Sequence, residues 1–189
     1  MKTKILVLTV IMNCLAVVSF SQQKRLSFTG TVQAGLLEGE KGSAMQFGAT
    51  AGVKLNSWIA SLGSGLDYYD VRSIPVFLNV QKNIFNRDKT PFVYLGGGHH
   101  FLWLPKTYND WSWWGNTENK GGLYYHAGIG YQLPVMKKAG WFFTAGFSEK
   151  QHSAETSSAY PCLVGPCPEY KEKISHRLRR LSVTTGLRF

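Results

Sequence analysis

Two stretches of the chain carry residue types that are capable of catalysis or metal binding. His152 and Ser153 are adjacent, and Glu155 follows two residues later. A nucleophilic serine needs a histidine within hydrogen-bond reach and a carboxylate that orients it, and adjacency does not supply that geometry. His99 and His100 are also adjacent, and on a strand they point to opposite faces, so they cannot chelate one ion. The sequence therefore predicts no catalytic residue, no metal and no cofactor.

A tryptophan-rich segment is the better candidate for binding. Residues 103–120 include Tyr108, Trp111, Trp113 and Trp114. Exposed aromatic clusters mark interaction sites, which predicts a platform for a sugar or a partner protein. The alternative is an aromatic cap packed on a rim or dipped into a lipid leaflet, where tryptophan is enriched.

Cys162 and Cys167 lie in the segment Pro-Cys-Leu-Val-Gly-Pro-Cys-Pro. An oxidising compartment and the intervening turn residues favour a local disulfide. A zinc site is the rival interpretation, but two thiols without a nearby pair of histidines are too few ligands.

The elements that must position these residues are strands. Leu181, Val183, Thr185, Leu187 and Phe189 share one parity, whereas Arg180, Ser182, Thr184, Gly186 and Arg188 share the other. Successive side chains of a strand point to opposite faces. Eight segments alternate in this way, at about 25–37, 44–54, 58–68, 73–81, 91–102, 121–133, 141–150 and 176–189.

The polarity of the two faces indicates the environment. A soluble barrel buries its large apolar face inside. Here the second face is mostly Gly, Ser, Thr and Gln, which would make a poor apolar core. Large apolar residues facing lipid and small polar ones filling a narrow lumen fit the pattern better. The sequence predicts an all-β fold, an eight-stranded antiparallel up-and-down transmembrane barrel.

Four polar residues fall on the inward parity, namely Asp67, His100, His126 and Arg180. A narrow lumen must pair any buried charge. One interpretation is a structural plug of hydrogen bonds and ion pairs. The other is a gated polar path, although an eight-stranded barrel is usually filled by its own side chains.

The start of the chain has the composition of a secretory signal. Residues 1–4 are basic, residues 5–20 are almost entirely apolar, and small residues stand at 19 and 21. This predicts a signal peptide at 1–21 and one barrel domain at 22–189. A transmembrane anchor is the alternative, but the apolar run is short for a span.

The formal net charge is +10, and it falls by two once Lys2 and Lys4 are removed with the signal. An exported chain rarely meets nucleic acid, so none is expected as a partner. Anionic lipopolysaccharide or acidic surface sugars suit the location better. Basic loops that are merely solvated explain the charge equally well.

The chain resembles the small outer-membrane barrel family of OmpX-like, OmpA transmembrane-like and PorT-like proteins. The features that carry the resemblance are the signal, the strand at 73–80, the glycine-rich strand at 91–98 and the ending Gly186-Leu-Arg-Phe189. The resemblance implies a monomer in the outer membrane with both termini in the periplasm. It also implies that the barrel-assembly machinery recognises Phe189. Some members of the family modify lipid A with a His-x-Ser pair on lipid-facing strands, a spacing that His152 and Ser153 do not match.

The expected function is therefore non-enzymatic. Long external loops at 103–120 and 151–175 would bind a surface protein, a glycan or lipopolysaccharide. The alternatives are a narrow channel for small solutes and, with less support, a lipid A-modifying enzyme.

Overall fold

The regular structure is entirely β in a computed structural model that describes residues 26–103, 111–112, 115–136, 139–159 and 169–189. The strands are β1 (Ser27–Gly39), β2 (Gly42–Leu55), β3 (Trp58–Asp67), β4 (Ser73–Asn83), β5 (Thr90–Leu102), β6 (Trp111–Ser112), β7 (Gly115–Lys120), β8 (Leu123–Met136), β9 (Ala139–Ala159) and β10 (Glu169–Arg188). Within these ranges, no helix is long and apolar enough to cross a membrane.

Eight of the strands close into a barrel. The order around it is β1-β2-β3-β4-β5-β8-β9-β10, and β10 pairs with β1 to complete the ring. Each neighbouring pair is antiparallel. The predicted eight-stranded antiparallel up-and-down barrel is confirmed. Closure gives every barrel strand a partner on both sides, as a strand structure in hydrocarbon requires, with one short interruption between β3 and β4.

The alternation of side chains separates an outer surface from a lumen. Leu78 is 68% exposed, whereas Asp67 is 2% and Arg180 is 1% exposed. We call the outward side chains around mid-height the apolar belt: Leu62, Leu78, Leu95, Ile129, Leu181 and Val183, all of which are exposed. A surface of this kind is unfavourable in water and favourable against lipid tails.

Exposed aromatic residues border the belt at two levels. We call one side the terminal end, where Trp58, Tyr131, Trp141 and Phe189 lie, and the other the loop end, where Tyr68, Phe101, Trp103, Tyr125 and Phe147 lie. Amphipathic rings favour the boundary between lipid and water. The belt and its two borders therefore have the arrangement expected of a surface that faces a membrane.

Strands β9 and β10 rise past the barrel at the loop end. They have 21 and 20 residues, against 10 to 14 for the other six barrel strands. Strand β7 pairs with β9 above β8 and forms a short hairpin with β6. The predicted loops at 103–120 and 151–175 were thus wrong in extent, because strand pairing continues into both segments.

The upper part of β10 has a partner on one side only. Residues 169–179 pair with β9, and within the described residues the pairing with β1 begins at Arg180, opposite Gly39. Strand β1 ends there because the chain turns back into β2 at Gly42.

Candidate functional site

The lumen at the loop end holds three charged side chains, which we call the charge cluster: Asp67, Lys150 and Arg180. The Asp67 carboxylate accepts a hydrogen bond from Nη1 of Arg180, and its Oδ1 lies 3.4 Å from Nζ of Lys150. All three side chains are almost fully buried, with 3%, 1% and 0% exposure respectively. Because burying a charge is costly unless it is paired, this contact holds three strands of the barrel together from within.

Lys150 also closes the mouth of the barrel. Its Nζ donates to the backbone oxygens of Tyr69 at 2.6 Å and Val71 at 2.8 Å, and lies 3.3 Å from the Ser73 hydroxyl. Asp70 between them has φ 58°, a left-handed conformation that aspartate tolerates, and it lets the segment between β3 and β4 turn inward.

Tyr69 fills the remaining space at the mouth. Its N–H donates to Oδ1 of Asp67 at 2.8 Å, and its hydroxyl accepts the N–H of Lys41 at 2.8 Å. The ring packs with Leu37 and Leu178, and all three are buried. A Cβ added to Gly39 would lie 2.5 Å from the Tyr69 hydroxyl, so glycine is required there for the close approach. The loop end of the lumen is therefore plugged.

The terminal end buries another arginine, Arg188, which has no carboxylate within salt-bridge distance among the described residues. The guanidinium of Arg188 lies 5.3 Å from the ring centroid of Phe92 and 5.4 Å from that of Phe142. It donates to the side-chain oxygens of Gln132 and Gln81, the latter at 2.5 Å. Aromatic faces and amide oxygens stabilise a desolvated cation, though less than a carboxylate does.

The middle of the lumen is unevenly filled. The side formed by β4, β5 and β8 carries Phe77, Tyr94, Tyr124 and His126. Nε2 of His126 lies 3.3 Å from Oδ1 of Asn79, and its ring meets that of Phe77 edge-on at 4.8 Å. The side formed by β1 to β3 carries small polar residues instead, among them Thr31, Gln33, Gly48, Thr50, Ser61 and Gly65. A cavity of ≈ 70 Å³ remains between the two sides.

The wall is interrupted between β3 and β4. Ser64 pairs with Val76 and Asp67 with Ser73, but the two opposed positions between them are unpaired. We call this the β3–β4 gap; it comprises Gly65, Leu66, Ile74 and Pro75. Proline has no N–H to donate, and it is tolerated inside a sheet only where the ladder is broken. Pro75 does keep its place opposite His100 of β5, so the interruption is confined to one seam.

An apolar hollow of ≈ 660 Å³ lies on the outer surface beside the gap. Its walls include outward side chains of five strands, β1 to β4 and β10, with the small residues Ala34, Ala49 and Ser64 between larger ones such as Leu187 and Leu66. Gln33, Phe47, Gly48, Gly65 and Leu66 bound both this hollow and the interior cavity, and the last two belong to the gap. The gap therefore lies in the part of the wall that the two spaces share.

Several buried polar atoms face the lumen without a hydrogen-bond partner among the described residues. They are Nε and Nη2 of Arg180, Oγ of Ser148, Nδ1 of His126 and Nε of Arg188. Ser148 stands directly opposite Arg180 in the pairing of β9 with β10 and opposite His126 in that of β8 with β9. An unsatisfied buried donor is costly, so this level of the lumen has capacity to bind a further polar group.

The four lumen residues expected from the sequence all face inward, but only two of them meet. Asp67 and Arg180 form the ion pair described above. Nε2 of His100 lies 2.7 Å from the backbone oxygen of Gln151, and His126 contacts Asn79 instead. Sequence reasoning missed Lys150 and Arg188 as lumen residues, although both stand on inward parities of alternating strands. It also missed the gap, for which an in-strand proline was the available signal.

The expected surface residues fall largely outside the described part of the chain. Tyr108, Trp113 and Trp114 lie there, as do Cys162 and Cys167. The backbone of Trp111 forms part of β6, opposite Asn116. At the other end, Phe189 is 61% exposed, and its backbone N–H and oxygen pair with those of Gly30 at 3.0 and 2.7 Å.

The residues that could suggest a hydrolase do not form a catalytic arrangement. His152 and Ser153 lie in β9, a strand rather than a loop, and therefore on opposite faces. The ring of His152 stacks on His176 with centroids 5.0 Å apart. Glu155 instead pairs with Lys120 at 2.6 Å and Lys173 at 3.4 Å, which lowers the pKa of its carboxyl group. Among the described residues, no group of three His, Cys, Asp or Glu could hold a metal ion.

Comparison with solved structures places this geometry among known folds. The crystal structure of the outer membrane protein OprG from Pseudomonas aeruginosa superposes with a TM-score of 0.56 and 13% sequence identity, covering 88% of this chain and 97% of that one. This chain has the fold of a small outer-membrane β-barrel. The solid-state NMR structure of the outer membrane protein AlkL in DMPC bilayers is also similar, with a TM-score of 0.46, 10% identity and 87% of each chain covered. No family model and no curated protein sequence matches the chain.

Proposed function

We propose that this outer-membrane-type barrel passes small apolar molecules between its lumen and the lipid phase, through the β3–β4 gap. The observation that carries the proposal is that Gly65 and Leu66, at the gap, line both the interior cavity and the outer hollow. Small-molecule sites are usually concave and mostly apolar, and the outer hollow is an apolar concavity on the outer surface.

The free energy of parting two strands favours this seam over its two neighbours as the point of exit. A seam in hydrocarbon can part only by breaking its backbone hydrogen bonds, each of which costs several kcal/mol there. At the gap two consecutive pairs are already absent, whereas the neighbouring seams β2–β3 and β4–β5 are continuous. Separation of Leu66 from Ile74 therefore requires less additional free energy than separation anywhere along those two ladders.

The proposal includes an orientation and a set of partners. The loop end faces the outside, where the raised β7–β9–β10 sheet meets lipopolysaccharide, and both chain ends face the periplasm. The barrel acts as a monomer, without a catalytic step. Phe189 at the terminal end serves the barrel-assembly machinery during insertion, as the resemblance of its terminal strand implies.

The decisive experiment locks the gap. Leu66→Cys with Ile74→Cys, in a background of Cys162→Ser and Cys167→Ser, places two thiols at directly opposed outward positions. The matched control is Leu62→Cys with Leu78→Cys, an opposed outward pair on the paired part of the same seam. We expect the oxidised gap variant to transfer a fluorescent apolar dye into proteoliposomes about tenfold more slowly, since closing a conformational gate removes the passage.

Reduction of that disulfide should restore the rate, and the control pair should transfer dye normally in both redox states. Equal transfer by the locked and reduced gap variants would contradict the proposal. A slow rate in both pairs would show only that cross-linking stiffens the barrel, and it would count against passage at this particular position.

A second candidate function is binding at the surface through the segments around β6 and β7. The observation that favours it is the sheet of β7, β9 and β10, which stands above the apolar belt and presents a stable platform. Replacing Trp111, Trp113 and Trp114 together by alanine should weaken binding of purified barrel to lipopolysaccharide or glycan arrays without changing the heat-dependent gel mobility of the folded barrel. Unchanged binding would remove this candidate.

A further inference from the structure

The cations of the lumen are matched by carboxylates at the loop end but not at the terminal end. In the charge cluster, Asp67 contacts both Lys150 and Arg180, and the exposed Asp70 lies in the turn whose carbonyl oxygens accept hydrogen bonds from Lys150. Arg188 follows Arg180 on β10 at a distance of roughly 26 Å along the strand. Among the described residues it has no carboxylate within salt-bridge distance.

The other charged groups near the terminal end do not supply the missing negative charge. Lys54, at the end of β2, shares the inward parity of Thr50 and adds a second cation on this side. The turn between β4 and β5 carries two cations and one carboxylate, all exposed, namely Arg87, Asp88 and Lys89. Within the described residues, the surroundings of Arg188 are therefore positive.

Neutral groups hold the Arg188 guanidinium in place. It lies between the rings of Phe92 and Phe142 and donates to the side-chain oxygens of Gln81 and Gln132. The residue is 9% exposed, and its Nε has no acceptor among the described residues. Amide oxygens satisfy N–H groups but contribute no negative charge, and an unpaired buried donor is costly. Arg188 therefore retains both an unmatched charge and an unused donor.

A hydroxyl donor and a cavity lie beside Arg188. Thr31 stands directly opposite Arg188 in the pairing of β1 with β10, and its Oγ1 lies 2.7 Å from Oγ1 of Thr50. Two hydroxyls that bond to each other use one of their two protons, so the other has no acceptor among the described residues. All three residues line the interior cavity of ≈ 70 Å³, which exceeds the roughly 30 Å³ that one water occupies in the liquid.

We infer that the lumen binds a small inorganic monoanion, of the size of chloride, beside Arg188. Nε of Arg188 and the unused proton of the Thr31–Thr50 pair donate to the ion, and its charge balances that of the guanidinium. Charge-assisted hydrogen bonds of this kind are the strong ones. A water molecule accepts the same bonds but leaves the buried charge unmatched. The site lies among β1, β2 and β10, so the inference is independent of passage through the β3–β4 gap.

The test measures chloride binding to the folded barrel in an uncharged detergent. The line width of chloride-35 NMR reports ions that exchange with a protein site, and urea unfolding reports the stabilisation that they cause. Gluconate, which is too large for the cavity, replaces chloride at equal ionic strength. We expect wild type to broaden the chloride line. We also expect its unfolding equilibrium constant to be about tenfold smaller in chloride than in gluconate, as for a ligand present at roughly ten times its dissociation constant.

Variants then assign the site. Arg188→Met should lose the broadening and unfold equally in both salts, and it should differ little from wild type in gluconate, where no ion occupies the site. Thr31→Val keeps the guanidinium but removes a hydroxyl, so it should bind chloride more weakly than wild type. Lys82→Met is the matched control: it removes an exposed cation over the ring of Trp58 at the same end and should behave like wild type. Arg188→Gln replaces Arg188→Met if the latter fails the gel-mobility test of folding.

Equal unfolding of wild type in chloride and in gluconate, without broadening of the chloride line, would overturn the inference and show that water alone satisfies Nε. A chloride effect that persists in a folded Arg188 variant would place the ion elsewhere and overturn the assignment. If neither Arg188 variant folds, Thr31→Val decides, and a chloride affinity equal to that of wild type would count against the site.

Discussion

The two ends of the lumen each bury an arginine, and they do so in different ways. At the loop end Arg180 meets the carboxylate of Asp67, with Lys150 beside it. At the terminal end Arg188 lies between two phenylalanine rings and donates to two glutamine oxygens. The loop end thus depends on one carboxylate that serves two cations, whereas the terminal end spreads one charge over several weak partners. The first arrangement is easily disturbed, and the second is tolerant.

The largest effect should come from removing the shared carboxylate. Asp67→Asn leaves Lys150 and Arg180 buried together without a counter-charge, and breaking a buried ion pair in this way costs about 3–5 kcal/mol of unfolding free energy. Urea unfolding in detergent micelles, followed by gel mobility of the folded form, measures the loss. Asp88→Asn, in the exposed turn between β4 and β5, is the matched control and should unfold like wild type. If Asp67→Asn lowers the unfolding free energy by no more than a typical surface substitution, the loop end does not depend on the Asp67 carboxylate.

Replacing each arginine by methionine compares the two ends directly. Arg180→Met leaves Lys150 as the remaining partner of Asp67 in the charge cluster. We expect the unfolding free energy to fall by about 2 kcal/mol, because the charged hydrogen bond to Asp67 is lost. Arg188→Met removes a charge that has no carboxylate, so we expect a change of less than about 1 kcal/mol in either direction. The same urea titration decides the order. If Arg188→Met is the more destabilising variant, the terminal end is not the tolerant one.

Restoring the missing backbone N–H at position 75 should stabilise the pairing of β3 with β4 at the gap and leave the rest of the wall unchanged. Pro75→Ala supplies an N–H opposite Gly65, and one additional backbone hydrogen bond is worth about 0.5–1.5 kcal/mol. Amide exchange of Gly65 and Leu66 should slow, and dye transfer should slow with it, while exchange in the paired stretch around Leu62 stays the same. Faster exchange at the gap in Pro75→Ala would contradict the account of the interruption.

Acid should loosen the raised sheet without affecting the terminal end. Burial lowers the pKa of His152, and the stacked His176, with Lys150 and Lys41, lowers it further, against an opposing effect of Asp70. The folded sheet therefore binds the His152 proton less readily than the unfolded chain, so its stability falls as pH drops through the ordinary histidine range. The protection factors of the amides across β9 and β10 above Lys150, which are exchange rates corrected for the intrinsic pH dependence of exchange, should be lower at pH 5.5 than at pH 8. His152→Gln should remove the difference, and a difference that persists in this variant would exclude His152 as its source.

The sequence predicted the wall of the barrel because alternation is a local signal. Leu181, Val183 and Leu187 indicate the outward face of their strand without information from any neighbouring strand. The inward positions of Asp67 and Arg180 follow from the same alternation. The raised part of β9 gave no such signal, since residues 151–159 are polar or small on both faces. The gap could not be predicted in the same way. Its position depends on whether the backbone nitrogen of Pro75 faces β3 or β5, and only the register of the paired strands determines this. Lys150 was similarly visible by parity, but its partners come from a turn about eighty residues earlier.

The one-sided upper part of β10 has a consequence for how copies of the barrel meet. Within the part of the chain that the structure describes, residues 169–179 have no backbone partner on the side where β1 has ended. Such an edge invites pairing with the same segment of a second molecule. Lys173, Arg177 and Arg179 are exposed along this stretch, and the first and last pair with Glu155 and Glu149. Charged side chains along a strand edge disfavour pairing with another chain. We therefore expect this edge to keep neighbouring barrels from joining edge to edge into continuous sheets.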